Sequence, residues 1–241
     1  MKKTGSLYLL PSFLGEDAEL NYLCGYEILL IQELRCYFTE NEKSARRFLR
    51  KSGYKESLDE IDLHLLNKDT EIKEQIRLLN ILLHGTDAGM ISEAGSPAIA
   101  DPGTSFIRLA HQHHIPVIPV PGPSAIMLAI MASGLNGQQF SFNGYLPIDK
   151  NERSKKIISL EELSYKTGYA QFFIETPYRN EALLSDLLTR CHPDTDICLA
   201  VNLSQNGSWI ETHSIAEWRK KSPQIHKIPV VFGMMRRKNQ Y

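Results

Sequence analysis

Short apolar runs alternate along the chain with segments whose apolar residues recur at helical spacing. In the first half, four runs are predicted to be strands: SLYLL (6–10), EILLI (27–31), DAGMI (87–91) and PVIPV (116–120). They lack polar alternation, which is typical of strands covered on both faces of a parallel sheet. A helix is predicted over 69–85, with Gly85 as its C-cap. The apolar stripe of this helix comprises Ile72, Ile76, Leu79 and Leu83.

The second half keeps the alternation with slightly different strands. These are FSFNG (140–144), YAQFFIE (169–175), DICLAV (196–201) and IPVVFGM (228–234), with a short added strand in NGSWIET (206–212). Helices are predicted over 122–133, 150–164, 180–191 and 214–221. Strands that alternate with helices predict an α/β fold.

A proline-rich segment, IPVIPVPGP (115–123), is the best candidate for a domain junction, because prolines stiffen an extended backbone. We therefore expect two α/β domains, over 1–120 and 121–241. The stretch VPGPSAIMLAIMASGL (120–135), which overlaps the end of this segment, is predicted to be a strand, a tight turn and a helix, and Ser124 stands where a hydroxyl can cap that helix. The free N–H groups of a helix start favour a carboxylate.

Composition limits the classes of function. A formal net charge of −1 predicts no overall attraction to a polyanion, so any nucleic-acid site has to be a local patch. The four cysteines form no CxxC pair and are expected to be free thiols, and no histidine cluster predicts a metal. The apolar stretch Leu7 to Leu10 ends at Pro11, which is too short for an export signal, and no run reaches the length of a membrane span. We expect a cytoplasmic protein with no membrane partner.

The loop ISEAGSPAIADPGTS (91–105) follows a predicted strand and leads into a helix. It holds two glycines, two prolines and the acids Glu93 and Asp101, but no lysine or arginine. The chain contains neither GxxxxGK[ST] nor GxGxxG after a strand, which excludes two common phosphate-binding loops. The loop suits a ligand of positive or mixed charge without phosphate. The alternative is an ordinary connection rich in turn residues.

The two blocks ISEAGSPAIADPG and VPGPSAIMLAIMASGL together resemble the tetrapyrrole methylase superfamily of S-adenosylmethionine-dependent methyltransferases. The nearest branch is the ribosomal RNA cytidine 2′-O-methyltransferases, and FNGYLP (142–147), Arg153 and FFIETPYRNEALLSDL (172–187) extend the match. The resemblance implies two α/β domains, a homodimer and S-adenosylmethionine in a cleft between the domains. This cofactor carries a sulfonium and no phosphate, which suits an acidic loop.

The resemblance also implies roles for individual residues. The cofactor-binding residues are expected to be Pro11, Gly95, Ser96, Pro97, Ile99, Ser124, Ala125, Thr176, Val201 and Pro229. The substrate-binding residues are expected to be Glu93, Tyr145 and Arg179.

The segments that would meet the substrate depart from the branch. LPSFLGEDAEL stands where the branch has P-T-P-I-G-N-L, and its E-D-T-R is matched to QELR (32–35). Glu33 and Arg35 follow the predicted strand EILLI, so we expect them at the carboxyl edge of the sheet as catalytic residues that orient the substrate and handle its proton. The alternative is an ordinary ion pair at a strand end.

The segment KSARRFLRK (43–51) is strongly basic. On a helix it would turn Ala45, Phe48 and Leu49 inward and present Arg46, Arg47, Arg50 and Lys51 outward, where they can meet RNA phosphates or only solvent. The resemblance therefore implies a methyltransferase acting on RNA, with the ribose 2′-oxygen of ribosomal RNA as the acceptor. Two alternatives stay open: a methyltransferase for a tetrapyrrole or another small molecule, and a cofactor-binding protein whose catalysis has lapsed.

Overall fold

Five parallel strands form the first of two sheets in the computed structural model, which describes residues 3–237. The strands lie in the order β3-β2-β4-β1-β5. Their bounds are β1 Leu7–Leu10, β2 Cys36–Thr39, β3 Asp62–Leu65, β4 Ala88–Ile91 and β5 Val117–Pro119. The helices between them are α1 Gly25–Glu33, α2 Glu42–Lys51, α3 Ile72–Leu83 and α4 Thr104–Gln112.

Apolar side chains cover both faces of this sheet. Leu7 and Phe38 contribute to a cluster on one face, and Leu10 and Tyr37 contribute to a cluster on the other. Neighbouring residues of a strand point to opposite faces, so a strand buried on both sides is apolar throughout. This explains why the runs at 6–10, 87–91 and 116–120 were recognisable as strands.

The run EILLI (27–31) is not a strand but the middle of α1. The Cys24 sulfur accepts a hydrogen bond from the Glu27 backbone N–H at 3.4 Å and caps the helix. Glu27, Leu30 and Ile31 are its buried residues, spaced at helical intervals. The true second strand is the buried run CYFT, which ends at Thr39.

Helix α3 lies where the sequence predicts it, and Gly85 follows its last turn with φ of +98°. The buried face differs from the predicted stripe, however. Leu78, Leu79 and Leu82 are buried, whereas Ile72 and Ile76 are largely exposed. The apolar positions of this helix form more than one possible stripe, and periodicity did not select the one that packs against the sheet.

The second sheet has the order β6-β7-β10-β8-β9, and only the β6–β7 pair is parallel. Its strands are β6 Phe140–Tyr145, β7 Ala170–Ile174, β8 Thr195–Val201, β9 Trp209–Ser214 and β10 Val230–Arg236. The helices are α5 Ala125–Ala132, α6 Lys150–Thr167, α7 Asn180–Arg190 and α8 Ile215–Trp218. All five predicted strands of this half are present, and the α/β fold class is confirmed.

Contacts divide the chain into two compact units between Ser124 and Ala125, whereas the prolines placed the junction near Val120. Within the second unit, Arg153 and Asp186 form a buried ion pair between α6 and α7, with Nε and Oδ2 2.7 Å apart.

The four cysteines are unbonded, and Cys24 is the one that is not fully buried. None of the described helices is both long and apolar enough to cross a bilayer.

Candidate functional site

In the first unit, the loops that follow β1 and β4 are joined by hydrogen bonds. Ser12 and Gly95 form a short antiparallel bridge, in which each backbone N–H donates to the carbonyl of the other, at 2.9 and 3.1 Å. The Ser12 hydroxyl also donates to the Ser92 carbonyl at 2.7 Å. Because both strands are parallel, these loops leave the same edge of the sheet, where ligands of α/β proteins bind.

The segment after β5 joins this arrangement. The Ser96 hydroxyl donates to the Pro123 carbonyl at 3.3 Å, next to Ser124 in the chain. A side chain at Gly122 would place its Cβ 2.7 Å from Pro11, so only glycine allows this approach. The structure thus brings the predicted residues Pro11, Gly95 and Ser96 together within the first unit.

The rest of the loop between β4 and α4 is held in an uncommon backbone conformation. Ala98 and Ala100 have φ of 63° and 62°, in the left-handed region that costs a non-glycine residue about 1–3 kcal/mol. Pro97 is buried, whereas Ile99 is 48% exposed. Strained backbone of this kind clusters at active sites and ligand-binding loops.

A carboxyl group is buried beside these loops. Glu27 is fully buried, and neither of its carboxylate oxygens has a hydrogen-bond partner among residues 3–237. Its Oε2 lies 3.2 Å from the place a Gly122 Cβ would occupy. Burial raises the pKa of Glu27 from its ordinary 4.5 to about 8, so the group is protonated at neutral pH.

Three acids meet at the same edge of the sheet: Glu40, Glu93 and Asp101. Burial and then the charges of Asp101 and Glu93 raise the pKa of Glu40 to about 7. Burial and then Glu93 raise the pKa of Asp101 to about 6. One oxygen of Glu40 is buried without a hydrogen-bond partner in the described chain. A carboxyl that titrates near neutrality can accept a proton from a substrate hydroxyl.

Sequence reasoning placed Glu33 and Arg35, not Glu40, at this edge, and that placement is wrong. Glu33 ends α1, and Arg35 immediately precedes β2, so both lie where β2 begins and not where it ends. Arg35 pairs with Glu56 at 2.7 Å and donates to the Gln32 carbonyl at 2.7 Å. The match of E-D-T-R to QELR is therefore out of register, because the tetrapeptide that follows the strand is ENEK (40–43).

In the second unit, four predicted residues lie at one edge of the sheet. Tyr145 pairs with Ile174 at the end of β7, two residues before Thr176. Val201 pairs with Val230, and the Asn202 N–H donates to the Pro229 carbonyl at 2.9 Å. Pro229 directly precedes β10.

Arg179 lies in a short 3-10 helix after β7 and forms an ion pair with Glu175, whose side chain is fully buried. Nε of Arg179 and Oε1 of Glu175 are 3.0 Å apart. The same Oε1 accepts from the Thr176 N–H at 2.6 Å. The pair thus fixes the turn that carries Thr176.

Helix α2 buries Ala45, Phe48 and Leu49, as predicted, and its outer face is basic. Between this helix and the segment after β1 lies a cleft of about 280 Å³, which we call the basic cleft. Its lining includes Phe13, Glu16, Ser44, Arg47, Lys51 and Glu93. The Ser44 hydroxyl lies 3.4 Å from Oε1 of Glu93, so the basic cleft adjoins the three acids.

Comparison with known proteins gives two sets of relatives, although no family model matches the chain. The "Ribosomal RNA small subunit methyltransferase I" of Buchnera aphidicola subsp. Acyrthosiphon pisum is 27% identical over 241 residues, which is 98% of this chain and 81% of that protein. The protein of the same name from Halalkalibacterium halodurans is 32% identical over 184 residues, which is 76% of this chain and 60% of that protein.

Solved structures give the second set. The methyltransferase CobJ has a TM-score of 0.64 at 15% identity, over 96% of this chain and 94% of that one. A uroporphyrin-III C-methyltransferase from Thermus thermophilus, complexed with S-adenosyl homocysteine, has a TM-score of 0.56 at 15% identity, over 96% and 97%. The cobalt precorrin-4 methyltransferase CbiF has a TM-score of 0.60 at 12% identity, over 95% of this chain and 94% of that one.

The chain therefore has the fold of the tetrapyrrole methylases. Within this class, its sequence relatives carry the name ribosomal RNA small subunit methyltransferase I. The resemblance that the sequence predicts is confirmed, since the fold is that of the superfamily and the sequence relatives carry the name of its RNA branch.

Proposed function

We propose that this chain is an S-adenosylmethionine-dependent methyltransferase that acts on a ribose 2′-hydroxyl of ribosomal RNA. The methyltransferase class and the cofactor rest on the names of the sequence relatives and on the neighbour solved with S-adenosyl homocysteine. RNA as the acceptor rests on the same sequence relatives and on the basic face of α2.

The residues of the first unit fit this cofactor. S-adenosylmethionine supplies a methyl group on a cationic sulfur, and the loop 91–105 offers two carboxyl groups and no competing cation. Gly95 and Gly122 bring backbone close to neighbouring loops without side chains in the way. Pro11, Gly95, Ser96 and Ser124 would hold the cofactor from this unit. Thr176, Val201 and Pro229 would offer backbone groups from the second.

The observation that carries the proposed acceptor is the position of Glu40 among the three acids. An alcohol is a poor nucleophile until its proton is removed, so transfer to a ribose hydroxyl needs a proton acceptor. A pKa of about 7 leaves a large share of Glu40 ionised at neutral pH and keeps it basic enough to take that proton. We propose that Glu40 is this base and that Glu93 and Asp101 set its pKa.

The test is transfer of a labelled methyl group to ribosomal RNA by the wild type and by Glu40→Gln. The rate of the wild type should rise with pH through about 7, because the ionised carboxylate is the active form. Glu40→Gln should lose activity by about 100-fold or more and lose this rise, while calorimetry shows unchanged affinity for S-adenosylmethionine. Glu42→Gln, an exposed neighbour on α2, is the control. A fully active Glu40→Gln variant would contradict the role of Glu40.

Transfer to a tetrapyrrole but not to RNA would favour the small-molecule alternative. Tetrapyrroles are the acceptors that the names of the structural neighbours give. Cofactor binding without transfer to either would favour lapsed catalysis. These outcomes concern the acceptor and leave the cofactor site intact.

We further infer a symmetric homodimer in the cytoplasm. Two-fold pairing is the commonest assembly of soluble homo-oligomers, and a stable interface would bury at least about 1,200 Å² in total. Sedimentation at micromolar concentration should show a species of twice 27.4 kDa. A species of 27.4 kDa alone would overturn the dimer without affecting the cofactor site.

A further inference from the structure

The basic residues of α2 fall into two groups with different partners. Arg46 donates to the Leu58 carbonyl at 2.8 Å, and Arg50 donates to the Glu56 carbonyl at 3.0 Å. These two side chains therefore hold the segment that follows the helix. Arg47 and Lys51 instead line the basic cleft, one helical turn apart.

Glu16 occupies the cationic end of the basic cleft. Its carboxylate accepts from the Arg47 guanidinium, and its backbone carbonyl accepts from the Lys51 ammonium. The Glu16 side chain is 82% exposed and that of Arg47 is 56% exposed, so solvent reaches this ion pair and it holds weakly. The guanidinium N–H donors that bind a carboxylate also bind a phosphate.

The rest of the basic cleft suits the other parts of a nucleotide. Phe13 and Phe48, whose ring centroids are 5.5 Å apart, contribute an apolar floor. Ser44 and Glu93 stand at the opposite end, where they can bond to ribose hydroxyls or base edges. A volume of about 280 Å³ lies just below the range of roughly 300–1,000 Å³ for small-ligand sites and limits the occupant to a single nucleotide.

We propose that the basic cleft binds one nucleotide of the single-stranded RNA substrate, with its phosphate replacing Glu16 on Arg47 and Lys51. The inference rests on the proposed function and deepens it. With the phosphate at Arg47, the ribose extends towards Ser44 and Glu93, beside the Glu40 carboxyl. Glu16 then competes with RNA, which lowers affinity for strands that cannot also fill the apolar floor.

The experiment measures binding of a short single-stranded RNA by fluorescence anisotropy at several salt concentrations. Arg47→Gln and Lys51→Gln should each weaken binding at least about threefold and reduce the slope of log affinity against log salt by about 0.7, the value for one lost phosphate contact. Arg46→Gln, the same change on the same helix outside the basic cleft, should leave slope and affinity close to wild type. Glu16→Gln should strengthen binding by up to about fivefold, the worth of an exposed ion pair.

An abasic strand of equal charge tests the apolar floor. It should bind the wild type with the same salt slope as the RNA but at least about fivefold more weakly, because the apolar contacts of the base with the floor of the basic cleft are lost. Equal effects of Arg46→Gln and Arg47→Gln, or equal binding of the abasic strand, would overturn the nucleotide site. So would displacement of the RNA by a polyglutamate peptide of equal charge at equal concentration.

The two proposals fail in distinguishable ways. If Arg47→Gln and Lys51→Gln bind and methylate RNA as the wild type does, the nucleotide site is overturned while the proposed function stands. If the wild type binds S-adenosylmethionine but neither binds nor methylates RNA, the proposed acceptor fails and the nucleotide site fails with it. Circular dichroism checks that the four variants are folded, above all Arg46→Gln, which loses the hydrogen bond to the Leu58 carbonyl.

Discussion

The Ser12 hydroxyl and the Ser92 carbonyl are 2.7 Å apart, and this buried hydrogen bond joins the ends of β1 and β4. The two residues are 80 positions apart in the chain. Ser92 in turn donates its own hydroxyl to the Gly95 carbonyl at 2.8 Å, so the turn that carries Gly95 depends on the same contact. The shape of the predicted cofactor loop is thus set by a residue outside it.

We expect Ser12→Ala to lower the stability of the first unit by about 1–3 kcal/mol, because it removes a buried partner of a carbonyl. Hydrogen exchange of the β1 and β4 amides should become faster, and affinity for S-adenosylmethionine should fall. Ser52→Ala is the control, since the Ser52 hydroxyl is buried without a hydrogen-bond partner in the described chain. Equal losses of stability and of cofactor affinity in the two variants would show that the Ser12 hydrogen bond does not stabilise the loop.

Gly122→Ala should weaken cofactor binding and destabilise the first unit by about 1–3 kcal/mol, the usual cost of overpacking. Its Cβ would meet Pro11 at 2.7 Å, so the segment after β5 has to move away from β1. Calorimetry with S-adenosylmethionine measures the effect. Gly25→Ala, where an added Cβ meets nothing within 4 Å, should be near neutral. Unchanged affinity in Gly122→Ala would contradict a role of this contact in the site.

The stability of the first unit should depend on pH through Glu27. The unfolded chain loses the Glu27 proton near the ordinary pKa of 4.5, whereas the folded unit keeps it to about 8. The folded state therefore holds more protons over this window, and the free energy of unfolding falls as pH rises from about 4.5 to about 8. Below this window the contribution is fully present, and above it the fall is complete.

Urea unfolding followed by circular dichroism at several pH values measures this dependence. Glu27→Gln should make the fall smaller by an amount of the order of a few kcal/mol, and the part that comes from the raised pKa values of Glu40 and Asp101 should remain. Glu33→Gln, an exposed carboxylate on the same helix, should retain the pH dependence of the wild type. A wild-type profile that stays flat between pH 5 and 8 would mean that Glu27 is ionised or solvated in the folded unit.

Val201→Ala should separate folding from cofactor binding in the second unit. Val201 is fully buried in the core of that unit, so its truncation should cost roughly 2 kcal/mol. If its backbone alone faces the cofactor, affinity for S-adenosylmethionine should change by less than about tenfold, or 1.4 kcal/mol. A larger loss would show that the side chain shapes the cofactor site.

Most strands were predictable because a parallel or mixed sheet requires uninterrupted apolar runs, and few other segments supply them. Two strands of the first sheet, β2 and β3, were not predicted, and they show the limit of this signal. EILLI and CYFT are both short apolar runs, and nothing in their periodicity distinguishes a buried helical turn from a strand. The Cys24 cap that starts α1 is weak in sequence, because cysteine is seldom a capping residue.

That single error moved the predicted catalytic residues to the wrong edge of the sheet. Glu33 and Arg35 precede β2, whereas Glu40 follows it. The acid after CYFT was the available signal for Glu40. Glu27 could not have been found from sequence, since its burial depends on Pro11 and Gly122, which are distant in the chain. The turns of the loop 91–105 were predictable from its glycines and serines, because tight turns restrict residue type strongly.

The distribution of two residue types makes the halves of the molecule optically distinct. Both tryptophans, Trp209 and Trp218, belong to the second unit, and the Trp218 indole N–H donates to the buried Ile197 carbonyl at 2.8 Å. Cys24, at the start of α1, is the half-buried thiol, while burial raises the pKa of the other three thiols and keeps them unreactive. Intrinsic fluorescence therefore reports on the second unit, and a single dye on Cys24 reports on the first without any engineered residue.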